Sequence, residues 1–132
     1  MEQTGDDKNV PAGILAYLQE NCPESFAHAL SEERDKVPNM RQEDLSSWLD
    51  YDDNAVYRWE AETHKDRFTR KERPLTIEER ILPKNIHVID QIADALTITM
   101  EAQREKVKRR LRNAYTCDLM KKELAKKGIK VF

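Results

Sequence analysis

Glycine and proline are scarce in this 132-residue chain, at 3 and 5 residues, which argues against a loop-rich or all-β fold whose tight turns depend on them. β-branched runs are few as well, so no strand is expected and the fold class reads as all-α with short connections. Cysteine occurs only as Cys22 and Cys117, far apart and without a second Cys or His at ligand spacing. That excludes a zinc-binding framework and leaves both as buried or incidental thiols. No apolar run nears 18 residues and no charged, apolar, small-residue leader is present, so the expectation is a cytoplasmic protein without membrane span or secretory signal. A Gly-rich phosphate loop is missing too. His28, His64 and His87 share no motif with either cysteine. The adjacent carboxylates Glu32-Glu33 and Glu78-Glu79 would diverge by about 100° on a helix and cannot face one substrate together. These absences point to a non-enzymatic protein with no cofactor and no metal.

Charge is what the chain has in quantity. Charged residues make up 36%, and the net charge of -2 hides a division between the halves. Residues 1–60 hold 5 Lys+Arg against 14 Asp+Glu, whereas residues 61–132 hold 18 against 11. An acidic face and a basic face are implied, and a basic face suits a polyanion or an acidic protein surface. Ordinary solvated helix charge is the alternative.

The stretch Arg41 to Glu60, RQEDLSSWLDYDDNAVYRWE, carries the most information. Leu45, Trp48 and Leu49 fall at the i, i+3, i+4 spacing of one helical face. Asp50 stands where a tight turn needs a left-handed residue, a role that Asp tolerates better than most side chains. Asp52, Asp53 and Asn54 suit the N-terminus of a second helix running to about Glu60, with Ala55, Val56 and Trp59 inward. Trp48 and Trp59 are expected to be buried together near Leu45, Val56 and Ile92. The outward side is Asp53, Asn54, Tyr57 and Arg58.

This arrangement resembles the helix-turn-helix of the Cro and phage-repressor (XRE-like) family. The family's polar-Gln-Glu-Glu-Leu-Ala opening is matched by Arg41, Gln42, Glu43, Asp44, Leu45 and Ser46, and its Val-x-Arg-Trp-Glu run by Val56, Tyr57, Arg58, Trp59 and Glu60. Phe26, Ala29, Leu30 and Glu33 resemble its first helix, and Ile86, Ile89, Ile92, Ala93 and Leu96 its Leu-x-x-Ile-Ala-x-x-Leu helix. Asp50 replaces the usual turn Gly, and Asp52-Asp53 replace the Ser and basic or Gln residue that open the second helix. The resemblance implies a repressor-like domain over 11–99 with a long insert, 61–85, after the recognition helix. A basic amphipathic helical extension, 100–132, follows, and residues 1–10 read as a disordered start.

Outside the motif, Pro11 opens a short helix whose Ile14, Leu15 and Leu18 form an apolar edge. The insert carries Lys65, Arg67, Arg70, Lys71 and Arg73, then Thr76-Ile77-Glu78-Glu79 in the capping-box form of a short helix that Pro83 ends. It is either a phosphate-contacting surface or a mobile loop. Val107, Leu111, Tyr115 and Leu124 make a narrow stripe that favours a helix partner, so a dimer interface is expected there, with packing onto the chain's own domain as the alternative. Gly128 marks the end of that helix.

The resemblance implies a sequence-selective DNA-binding transcriptional regulator of prokaryotic or phage type, a homodimer on double-stranded DNA. Gln42 would meet a phosphate. Asn54 would pair adenine, Arg58 a guanine or phosphate, and Tyr57 a sugar or thymine methyl, while Asp53 could accept from cytosine but is repelled by phosphate. Arg67, Arg70 and Lys71 would add backbone contacts. The rival is a protein-interaction adaptor or antitoxin that keeps the fold and docks a partner on the acidic N-terminal half.

Overall fold

The computed structural model describes residues 12–129; the stretch expected to be disordered and the expected helix start at Pro11 lie outside the described residues. Six α-helices follow in order: α1 (Ala12–Asn21), α2 (Phe26–Asp35), α3 (Gln42–Trp48), α4 (Ala55–Glu60), α5 (Ile86–Leu96) and α6 (Arg104–Lys126). Between α4 and α5 stand two short strands, β1 (Thr63–Lys65) and β2 (Glu72–Pro74), and a 3-10 turn, Glu101–Gln103, leads into α6. The fold is therefore mostly helical with a small two-stranded sheet, which corrects the all-α expectation.

Local signals place the helices. Ser25 caps α2 by accepting from the His28 N–H, and Asn85 caps α5 by accepting from the Val88 N–H. Along α5, Val88, Ile89, Ile92, Ala93, Ala95 and Leu96 are all buried, the wide apolar stripe of a helix covered on several sides. Helix α6 ends as expected: Gly128 has φ 78°, its N–H reaches the Ala125 carbonyl, and Ile129 N–H reaches Leu124. Those two bonds satisfy the last carbonyls of the helix.

Phe26, Leu30, Leu45, Val56, Trp59, Ile89, Ile92 and Leu111 belong to one core that α2, α3, α4, α5 and α6 share. Two expectations fail here. Val107, Leu111 and Tyr115 pack into this core across α5 and α2, so the stripe read as a dimer interface is covered by its own domain. Tyr115 meets Phe26 edge-on at 5.8 Å and donates its hydroxyl to the Pro83 carbonyl at 2.8 Å. Trp59 is buried, but Trp48 is 62% exposed. The inward face of α3 centres between Leu45 and Ser46, and Trp48 lies about 110° from that centre at 100° per residue, while Leu49 falls within it.

The cysteines correct a third reading. Cys22 and Cys117 form a disulfide, with Cα atoms 5.8 Å apart across a separation of 95 residues. It ties the end of α1 to α6, where Asn113 also donates to the Asn21 carbonyl. On α1, Leu18 is buried while Ile14 and Tyr17 are exposed.

The insert is a hairpin. Thr63 pairs with Pro74, His64 with Arg73 and Lys65 with Glu72, antiparallel. Beyond it, Thr76 and Glu79 make both bonds of the capping box, yet only a turn follows. Lys122 donates to the carbonyls of Ile77, Glu78 and Arg80, which a continuing helix would need for its own N–H groups, and Pro83 has no N–H to offer.

Candidate nucleic-acid interface

The turn between α3 and α4 has the left-handed residue that the sequence suggests. Asp50 adopts φ 63°; its N–H bonds the Ser47 carbonyl, and the Tyr51 N–H bonds Ser46. Asp thus fills the place of a C-terminal glycine at a cost of about 1 kcal/mol. Tyr51 then packs edge-on against Trp59 at 5.4 Å. Ser46 is fully buried and links the helices, its hydroxyl donating to the Gln42 carbonyl and accepting from the Val56 N–H at 3.0 Å. A small residue is required there for that approach.

Beneath this unit lies a charged group that sequence reasoning missed. Glu60 is buried and accepts from Arg34 Nε at 2.7 Å, Arg34 Nη2 at 3.0 Å and Gln42 Nε2 at 2.8 Å. Arg34 also donates to the Met40 carbonyl, so one guanidinium fastens α2, α4 and the loop before α3. The only available signal was a charged residue on each of two amphipathic helices, which does not specify a pair.

The expected contact residues divide. Asp53, Asn54 and Tyr57 line one shallow groove with Arg41, Gln42 and Glu43, between the starts of α3 and α4. Asn54 stands at the N-cap of α4 without using its side chain as a cap, and Tyr57 is exposed. Gln42 shares the groove, but its amide is committed to Glu60. Arg58 is folded onto Asp52 in a two-pronged pair at 2.9 and 3.2 Å, and that guanidinium holds the Asp52 carboxyl below its usual range. Arg41 likewise pairs with Asp44 and Glu43, and its hydrogen bonds lower the Asp44 carboxyl. The surface at the starts of α3 and α4 therefore presents neutralised cations beside the carboxylate of Asp53, which has no partner among the described residues.

Arg67, Arg70 and Lys71 stand elsewhere, at the tip of the hairpin. There the Asp66 carboxylate accepts from the N–H groups of Phe68 and Thr69, the Asp66 N–H bonds Lys71, and Arg70 adopts φ 62°. Backbone bonds hold the Asp66 carboxyl below its usual value. Phe68 at the tip is 89% exposed. No composition rule singled it out.

Glu24, His28 and Glu32 place three metal-capable atoms within 4.8 Å of one another, but their cation is already supplied. Arg110 bonds Glu24, Glu32 and Glu33 at 2.6 to 2.8 Å, and these carboxylates push the guanidinium pKa upward. The cluster joins α6 to α2. Among the described residues no helix is long and apolar enough to cross a membrane. Comparison with family models, with curated proteins and with solved structures finds no match for this chain.

Proposed function

We propose that the protein is a sequence-selective regulator that binds double-stranded DNA as a dimer, non-enzymatic and cofactor-free, of the prokaryotic or phage type. The observation that carries this reading is the α3–turn–α4 unit, fixed by Asp50 and Ser46, with the free amide of Asn54 and the phenol of Tyr57 at an open groove. An Asn amide at the start of such a helix can bond adenine N6 and N7 together. Phosphate contacts fall to the hairpin cations, because Arg41 and Arg58 are already paired. With the α6 stripe internal, the exposed Ile14 and Tyr17 of α1 are one apolar surface available to a second copy. Sedimentation equilibrium of an I14E/Y17E variant should then show a monomer.

A second reading is supported by Asp52 and Asp53: the acidic end of α4 would dock a basic protein partner, as in an adaptor or antitoxin. Mobility-shift titrations at two salt concentrations separate the two. For a DNA reader, Asn54→Ala should lose about 1 to 3 kcal/mol on the preferred site. Asp52→Asn should strengthen nonspecific binding, since it removes a negative charge and frees Arg58. Flat DNA titrations for both, with Asp52→Asn abolishing capture of a basic partner, would establish the adaptor instead.

A further inference from the structure

We infer that the tip of the β1–β2 hairpin is a minor-groove wedge, in which Phe68 enters between base pairs of a DNA duplex while Arg67 and Arg70 flank it. This rests on the duplex-binding reading above and assigns a mode of contact that the helix-turn-helix does not supply. The first observation is charge. Residues 64–71 hold four Lys+Arg and a single acid, Asp66, whose carboxylate is turned onto the backbone of its own turn. Lys65, Arg67, Arg70 and Lys71 are exposed and make no ion pair among the described residues, whereas Arg34, Arg41, Arg58, Arg73, Arg110 and Arg112 all do. Lys106 and Arg109 on α6 are likewise exposed and unpaired among the described residues, but the tip sets four such cations beside an exposed aromatic ring and so offers a polyanion both charge and a stacking surface.

The second observation is an aromatic ring held out in water by a stiff support. Phe68 is 89% exposed, yet the turn that carries it is closed by four hydrogen bonds at 2.7 to 2.9 Å centred on Asp66. The hairpin base is fixed as well. The Leu75 N–H bonds Glu62, Arg73 grips Glu79 through two bonds of 2.7 Å, and Lys122 anchors the following turn. A wedge presented this way loses little freedom on binding.

Dimensions then select the groove. Two paired strands about 4.8 Å apart, with their side chains, are too wide for a minor groove about 6 Å across, so only tip side chains can enter. From Thr63 to Asp66 the extended chain reaches about 10 Å at roughly 3.3 Å per residue, and the turn closed on Asp66 holds Phe68 at its outer end. Apolar side chains that enter the minor groove unstack a base step and bend the duplex.

The test uses the full chain and a duplex of about 25 base pairs with a flexible TA step, labelled at both ends for energy transfer, with and without the minor-groove ligand netropsin. Wild type should bend the duplex. Phe68→Ala should lose the bend and roughly 5- to 100-fold in affinity, with an unchanged melting temperature because Phe68 packs on nothing, and Phe68→Leu should keep the bend. Arg67→Gln with Arg70→Gln should lower the salt slope by about 2, and netropsin should bring wild type to the Phe68→Ala level. If Phe68→Ala binds and bends as wild type does while Asn54→Ala weakens binding, the wedge is refuted and the helix-turn-helix reading stands. Absence of wild-type binding at low salt would remove both.

Discussion

Replacement of Glu60 by Ala should unfold this protein at markedly lower temperature, because Glu60 is the acceptor around which α2, α3 and α4 are joined. Its side chain is 4% exposed and that of Arg34 13%. The substitution removes two charge-assisted bonds from Arg34 and one from Gln42. Gln42 is half-buried and can turn to water; Arg34 cannot, and it would keep only the Met40 carbonyl and the exposed Asp35 carboxylate at 3.4 Å. Leaving a buried charge without its partner costs about 3 to 5 kcal/mol. At roughly 4 °C per kcal/mol for a chain of this size, the melting point should fall by about 12 to 20 °C. Glu60→Gln keeps an acceptor but not the charge and should cost about 1.5 to 3 kcal/mol. The double replacement Arg34→Met with Glu60→Leu removes both charges and should recover most of the loss. Urea and thermal unfolding of the four proteins, followed by circular dichroism, measure this directly. If Glu60→Ala lies within about 1 kcal/mol of wild type, Arg34 finds an equivalent partner and the joint is not where the motif gets its rigidity.

Three further outcomes are expected. Trp59→Ala should cost about 3 to 5 kcal/mol, and Trp48→Ala should stay within about 0.5 kcal/mol; equal losses in denaturant titration would contradict the facing of α3. The double variant Cys22→Ser with Cys117→Ser should lose up to about 4 to 5 kcal/mol by loop-closure entropy, and identical melts with and without reductant would show that the bond does not form in solution. Glu79, held down to about 2 by Arg73, contributes stability that is present above its ordinary value of 4.5 and lost as pH falls toward 2. Glu79→Gln should therefore flatten that acid limb of the stability profile, and an unchanged limb would mean the Arg73 pair does not persist.

What could be read from the sequence was local. The stripe of α5 and the left-handed place of Asp50 each involve residues within a few positions, where period and side-chain chemistry decide the outcome. The hairpin escaped because every residue of β1 and β2 is exposed, so no alternation of apolar and polar residues marks them. Trp48 was misplaced because three apolar residues defined the face of α3, whereas the buried hydroxyl of Ser46 turns that face. Pairings across 77 to 96 residues, such as Arg110 with Glu33 or Cys22 with Cys117, have no local signature at all. The helix α6 stripe was seen correctly as needing a partner, and only the fold shows that α2 and α5 are that partner.

Charge makes the same point in a form that bears on function. The acidic and basic halves suggest two opposed faces, but the fold spends much of that difference internally. Arg110 of the basic half neutralises Glu24, Glu32 and Glu33 of the acidic half. Arg112 and Arg104 are taken by Asp90 and Asp94 on α5. A duplex meets only the charges that remain unpaired, since a cation already bonded to a carboxylate must break that bond before it can neutralise a phosphate. By that criterion the guanidiniums of the motif, Arg41 and Arg58, are poor phosphate ligands, and the four cations around Phe68 are good ones. On the proposed DNA-binding reading, affinity and base choice would reside on different elements: the hairpin would hold the backbone, and Asn54 at the head of α4 would read the base edges.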